Sequence, residues 1–171
     1  MDARIHNHGC VSSALDSLDF AQSLSLLGAW VDGYVIRCLG EAGFDGLRPG
    51  HGYFVQRLLT GPVTATDMAR ALGISQQAAS KAVGELVALD YVALATDESD
   101  RRRKTATLTD RGHEAVRRSR RARAALDRRL RSAVGEAQFA VALDALHRAV
   151  DELDLAAAVR TRTVRPPAEQ S

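Results

Sequence analysis

The stretch TATDMARALGISQQAASK, Thr64–Lys81, decides how this chain folds. Thr64 and Asp67 form a capping box, in which a hydroxyl and an acid three residues on satisfy the free backbone donors of a helix start. The short helix that follows is expected to bury Met68 and Leu72. Gly73 then supplies the left-handed turn that a helix-turn-helix needs. Ser75 is a good N-cap for the next helix, whose Ala79, Ala82, Val83 and Leu86 keep the i, i+3, i+4, i+7 spacing of a buried face. Its other face carries Gln76, Gln77, Ser80 and Lys81.

Downstream, the second helix is expected to end near Leu89 and Asp90. The run Tyr91–Thr96 reads as a strand with Val92 and Leu94 on one side. A polar turn, Asp97–Asp100, and a basic run, Arg101–Lys104, separate it from a second alternating strand, Thr105–Thr109. The pattern is a β-hairpin with a cationic tip. Thr109 can cap a long Arg-rich helix running to about Val134, with Gly135 as its stop. In the last helix Phe139, Leu143, Leu146, Val150, Leu153 and Ala157 recur at spacings of four and three. The tail from Arg160, with Pro166 and Pro167, reads as disordered.

Upstream, residues 1–14 show no periodicity and read as a loose arm. A helix is expected from Leu15, with Phe20, Leu24, Leu27, Val31, Tyr34 and Cys38 making an apolar seam. Gly40, Gly43, Gly46, Pro49 and Gly50 break it. A short helix follows from His51 to about Leu59, stopped by Thr60-Gly61-Pro62. The expected organisation is an arm (1–14), an N-terminal dimerisation helix (15–45) and a DNA-binding lobe (46–108). A helix pair leading to the dimer interface (109–160) and a disordered tail (161–171) complete it. The fold class is mostly α with a small β-hairpin: a winged helix-turn-helix flanked by dimerisation helices.

Composition agrees. Aromatic residues are 5% and the apolar 46% is largely Leu, Ala and Val, a mixture that favours helices over a large sheet. In 171 residues a second catalytic domain has no room. No apolar run reaches the roughly 20 residues of a membrane span, and no signal peptide opens the chain, so the cytoplasm is the expected compartment. The net charge is only +2, but residues 101–131 hold thirteen Lys/Arg against three acids. A basic stretch of that kind can face a polyanion. Taken alone it also fits a solvated helix face.

The motifs point to double-stranded DNA. Amide and hydroxyl side chains near the start of a recognition helix can pair with base edges in the major groove. The candidate DNA contacts are Thr64, Ser75, Gln76, Gln77, Ser80 and Lys81, with Arg101, Arg102 and Arg103 on the hairpin tip, where they can neutralise phosphates or enter the minor groove. Asp100 is expected to shape that tip by holding an arginine.

The segment Asp100-Arg101-Arg102, the strand end Leu108-Thr109 and the following Asp110-Arg111-Gly112 resemble the hairpin of the MarR family. Ala69–Lys81 resembles its turn and recognition helix, and the likeness extends from about Leu18 to Ala158. Ala106 departs from it, being smaller than the branched residue usual in that strand. The resemblance implies a homodimer reading a palindromic operator as a transcriptional regulator, with a small-molecule effector as a further partner. Its effector cleft is assigned to Trp30, Tyr34, Arg37, His51 and Tyr53, side chains that would equally serve as packing.

Cys38, on the apolar seam, reads as inert core, and Cys10 as the better oxidant sensor. His6, His8 and Cys10 make a poor metal site without a fourth ligand. No Gly-rich phosphate loop, H-E-x-x-H or G-x-S-x-G is present, so neither an enzyme nor a cofactor is expected. The competing reading is an architectural or protein-interaction module that uses a winged helix without a specific operator; Gln76 and Gln77 favour the sequence-specific one.

Overall fold

A computed structural model describes residues 16–96 and 104–165. Among them seven helices and three strands follow one another: α1 (Phe20–Glu41), α2 (His51–Leu58), β1 (Val63–Thr64), α3 (Ala65–Leu72), α4 (Gln76–Ala88), β2 (Val92–Thr96), β3 (Lys104–Leu108), α5 (Asp110–Val134), α6 (Glu136–Glu152) and α7 (Ala156–Thr161). The chain divides into two units, one before Val35 and one from Val35 onward.

In the first unit the helix starts later than Leu15. The Asp19 carboxylate accepts from Gln22 N–H at 2.7 Å while the Gln22 side chain accepts from Asp19 N–H at 3.1 Å. This reciprocal cap fixes the start at Phe20. Phe20, Leu24, Leu27 and Trp30 are exposed, and Trp30 stacks on Tyr34 with ring centroids 5.4 Å apart.

In the second unit α1 buries Val35 and Leu39, whereas Cys38 of the expected seam is only half-buried. The core gathers Phe54 and Leu58 of α2, Met68 and Leu72 of α3, Val83 and Leu86 of α4, and Tyr91 and Val92 at the head of β2. Gly73 caps α3 in the left-handed region (φ 67), as the turn requires.

The sheet has a strand that the sequence reading lacked. β1, two residues long, pairs with β3, so the order is β1-β3-β2, all antiparallel. Two residues carry no legible period, and Val63 joins only because Ala106 lies opposite it. Ala106 is buried between Val63 and Leu94, so the small side chain occupies the middle strand. Val92 and Leu94 do share a face, but Leu94 is 45% exposed; its strand is the edge of the sheet, beyond the core's reach.

Two junctions fix the long helices. At the first, Thr109 Oγ1 accepts from Gly112 N–H at 3.0 Å and donates to Asp90 O at 2.7 Å, while Thr109 N–H donates to Tyr91 O at 3.1 Å. Arg111 lies over the rings of Phe44 and Tyr91, 5.1 and 5.0 Å from their centroids, and donates to Gly43 O at 2.8 Å. At the second, Arg131 covers the Phe139 ring at 4.3 Å and pairs with Glu136 across Gly135.

The C-terminal helix is two helices. Asp154 takes a left-handed φ of 55, and Leu153–Leu155 separate α6 from α7. The tail expected to be disordered from Arg160 is helical to Thr161 and follows a defined course to Arg165.

Candidate nucleic-acid interface

α4 is built as a recognition helix. Ser75 Oγ accepts from Ala78 N–H at 3.1 Å, and Ala79, Val83 and Leu86 are buried on α3 and the sheet side. Gln76, Gln77, Ser80 and Lys81 are all exposed. The amphipathic split therefore places amide, hydroxyl and ammonium groups together on the first two turns. Thr64 is engaged differently: its hydroxyl accepts from Asp67 N–H at 3.1 Å and donates to Asp67 Oδ2 at 2.7 Å. Its role here is to fix the start of α3. Arg70, which the sequence reading passed over, is exposed beside it and paired with Asp67 at 2.9 Å.

Two polar ties brace α4 from behind. His51 is 4% exposed, and its Nδ1 accepts from Arg48 N–H at 3.3 Å. Its Nε2 faces Glu85 Oε2 of α4 at 3.1 Å and Arg48 Nη2 at 3.3 Å. Arg48 also pairs with Glu85. The hydrogen bond with His51, and the Arg48 guanidinium after it, hold the Glu85 carboxyl below its ordinary pKa against the opposing effect of burial. His51, assigned from sequence to an effector cleft, is thus occupied in tying α2 to α4; Tyr53 is half-buried on α2, and Arg37 is exposed on α1. Spacing along the chain gives no hint of this cluster, because its members are 34 and 37 residues apart.

β2 and β3 form the hairpin in register from Val92↔Leu108 to Thr96↔Lys104. Asp100, Arg101, Arg102 and Arg103 lie outside the described residues, as do His6, His8 and Cys10. Along α5, Glu114 binds Arg117 at 2.6 Å and Arg118 at 2.9 Å, while Arg120, Arg121, Arg128 and Arg129 are exposed. Among the described residues no group of three or more His, Cys, Asp or Glu is placed to hold a metal ion, and no helix is long and apolar enough to cross a membrane.

Residues 46–103 match the family model for the MarR family. Over that stretch the winged-helix lobe is similar to the MarR family. The lobe and its flanking helices are similar in fold to solved structures. RV1404 from Mycobacterium tuberculosis is 19% identical with a TM-score of 0.62, covering 96% of this chain and 99% of that one. A MepR mutant from S. aureus bound to an oligodeoxyribonucleotide is 17% identical with a TM-score of 0.58, covering 80% and 99%. PefR from Streptococcus agalactiae, a heme sensor in complex with heme, is 18% identical with a TM-score of 0.55, covering 78% and 93%. No curated protein matches the sequence. At these identities the likeness is one of fold.

Proposed function

We propose that the chain is a cytoplasmic, dimeric, sequence-specific DNA-binding transcriptional regulator, a repressor that reads a pseudo-palindromic operator and is released by a small ligand. One observation carries this reading: α4 buries Ala79, Val83 and Leu86 and leaves Gln76, Gln77, Ser80 and Lys81 exposed at its N-terminal end. That is the end of a recognition helix that meets base edges. Thr64 and Ser75 serve the same surface by setting the two helix starts. The wing contacts, Arg101, Arg102 and Arg103 with Asp100 as shaping residue, stay part of the proposal, as does the division into a lobe at 46–108 and dimerisation elements on either side. MepR bound to an oligodeoxyribonucleotide and PefR with heme support DNA and a small effector as partner classes. The stacked pair Trp30 and Tyr34 offers an aromatic surface for a flat effector.

Selection from a random duplex pool supplies the preferred site on which the reading is tested. Gln77→Ala or Ser80→Ala is expected to cost about 1 to 3 kcal/mol on that site and almost nothing on random DNA, because base contacts specify and phosphate contacts position. Fluorescence anisotropy on both duplexes measures the difference. Equal losses on the two would instead favour an architectural module without an operator.

A further inference from the structure

A further group of cations lies in the C-terminal segment. α7 ends at Thr161, and Arg162 takes a left-handed φ of 55 with Thr163 N–H bonded to Ala158 O at 2.9 Å. The chain continues across the lobe. Arg162 Nη1 donates to Gln56 Oε1 of α2 at 2.5 Å. Three residues on, the Arg165 side chain lies on the turn between α3 and α4: a Cβ built on Gly73 would be 2.9 Å from Arg165 Nε and 3.0 Å from its Cδ and Cζ. Two contacts on different elements therefore hold one segment. Residues 156–165 contain Arg160, Arg162 and Arg165 and no acid. Among the described residues neither Arg162 nor Arg165 is paired with a carboxylate, and Arg165 is exposed.

The position matters more than the charge. Gly73 leads through Ile74 and Ser75 into the N-terminal end of α4, the end that enters a groove flanked on both sides by phosphates. A guanidinium against that turn, with no carboxylate partner among the described residues, lies next to the start of α4. The geometry points to Arg165 as a DNA phosphate contact supplied by the C-terminal segment, with Arg162 as its anchor on Gln56. This inference rests on the reading of α4 as a recognition helix.

The test compares the full chain with Arg165→Gln, Arg165→Lys and Gln56→Ala by anisotropy on the selected site and on random duplex, across a salt series. Arg165→Gln is expected to weaken both duplexes alike, about fivefold per half-site at about 0.15 M salt, and to lower the slope of log affinity against log salt by roughly one per half-site. Arg165→Lys keeps the charge and the slope. Gln56→Ala keeps the charge but frees the anchor, and should weaken binding less than Arg165→Gln. Unchanged affinity and slope in Arg165→Gln would overturn the contact. Tighter binding would overturn it too, since the segment would then be shielding the turn. If Arg165→Lys fails as badly as Arg165→Gln, the side chain only packs the turn, and the proposal is wrong. A wild-type chain that binds neither duplex removes the regulator reading along with this one, whereas a wild type that binds and an Arg165→Gln that matches it remove this one alone.

Discussion

A Gly112→Ala variant is expected to melt about 10 °C below the wild-type chain, or to lack a cooperative transition altogether. Gly112 is the third residue of α5, and a Cβ there would lie 2.2 Å from the Tyr91 carbonyl oxygen and 3.2 Å from Leu108 Cδ2. The obstacle is backbone, so no rotamer change relieves it. Tyr91 cannot easily retreat: its N–H donates to Leu86 O at 2.9 Å, its hydroxyl donates to Asp45 O at 2.9 Å, and its carbonyl accepts from Thr109. The start of α5 is held just as firmly by the Thr109 cap. Adding a methyl between two fixed backbones is the severe end of overpacking, about 3 kcal/mol. Gly84→Ala is the control. A Cβ there meets nothing within 4 Å, so the change should leave stability level or raise it by up to about 1 kcal/mol through helix propensity. Calorimetry on the two variants reads the contrast, and a Gly112→Ala melting with the wild type would show that α5 does not pack on Tyr91 as described.

The second large effect concerns assembly. α6 buries none of its residues within the chain: Val141 is 71% exposed and Leu146 37% exposed, with Leu143 also open to solvent. Leucines left in this way contribute little to the fold of a single chain, whereas burying each against a partner is worth about 1.5 to 3 kcal/mol. A two-fold axis presents every substitution twice. Leu146→Asp with Val150→Asp is therefore expected to give a monomer whose circular dichroism spectrum and lobe stability stay close to wild type. Its affinity for the selected operator should fall about a hundredfold or more, because the second half-site no longer binds as an intramolecular event. Analytical ultracentrifugation at micromolar concentration decides it. Wild-type chain sedimenting as a monomer, or the double variant remaining a dimer, would sink the idea.

What the sequence made legible follows from the range of the interactions involved. Thr64, Gly73, Ser75 and Thr109 were readable because a cap or a left-handed turn is settled within four residues, and each does in the structure what its residue type dictates. The buried face of α4 was readable for the same reason, since its period is local. Side chains whose partners are distant were not. α1 carries more than one apolar stripe: packing within the chain takes Val35 and Leu39, while Phe20, Leu24 and Leu27 of the periodic seam stay exposed. The break at Asp154 interrupts a run of apolar residues that continues in phase, so nothing in the spacing of Leu153 and Ala157 announced it. His51 and Glu85 meet only through tertiary structure, as do Arg162 and Gln56. Of the DNA-contact residues assigned from sequence, those on α4 stand together on one exposed surface, and the wing arginines lie outside the described residues.

The edge position of β2 has a consequence for handling the protein. β2 pairs with β3 on one side, and β1 closes the other margin of the sheet, so among the described residues the outer ladder of β2 is open. Ala93, Leu94, Ala95 and Thr96 are all exposed along it. A short apolar strand with a free row of amides and carbonyls is the usual template for edge-to-edge aggregation. The sequence sets ionised residues against that hazard: Asp97, Glu98 and Asp100 follow the strand directly, and Arg101 to Arg103 precede the next, which opens on Lys104. These charges act as gatekeepers for colloidal solubility whatever else they touch, and neutralising them together would be expected to trade a soluble preparation for a precipitating one.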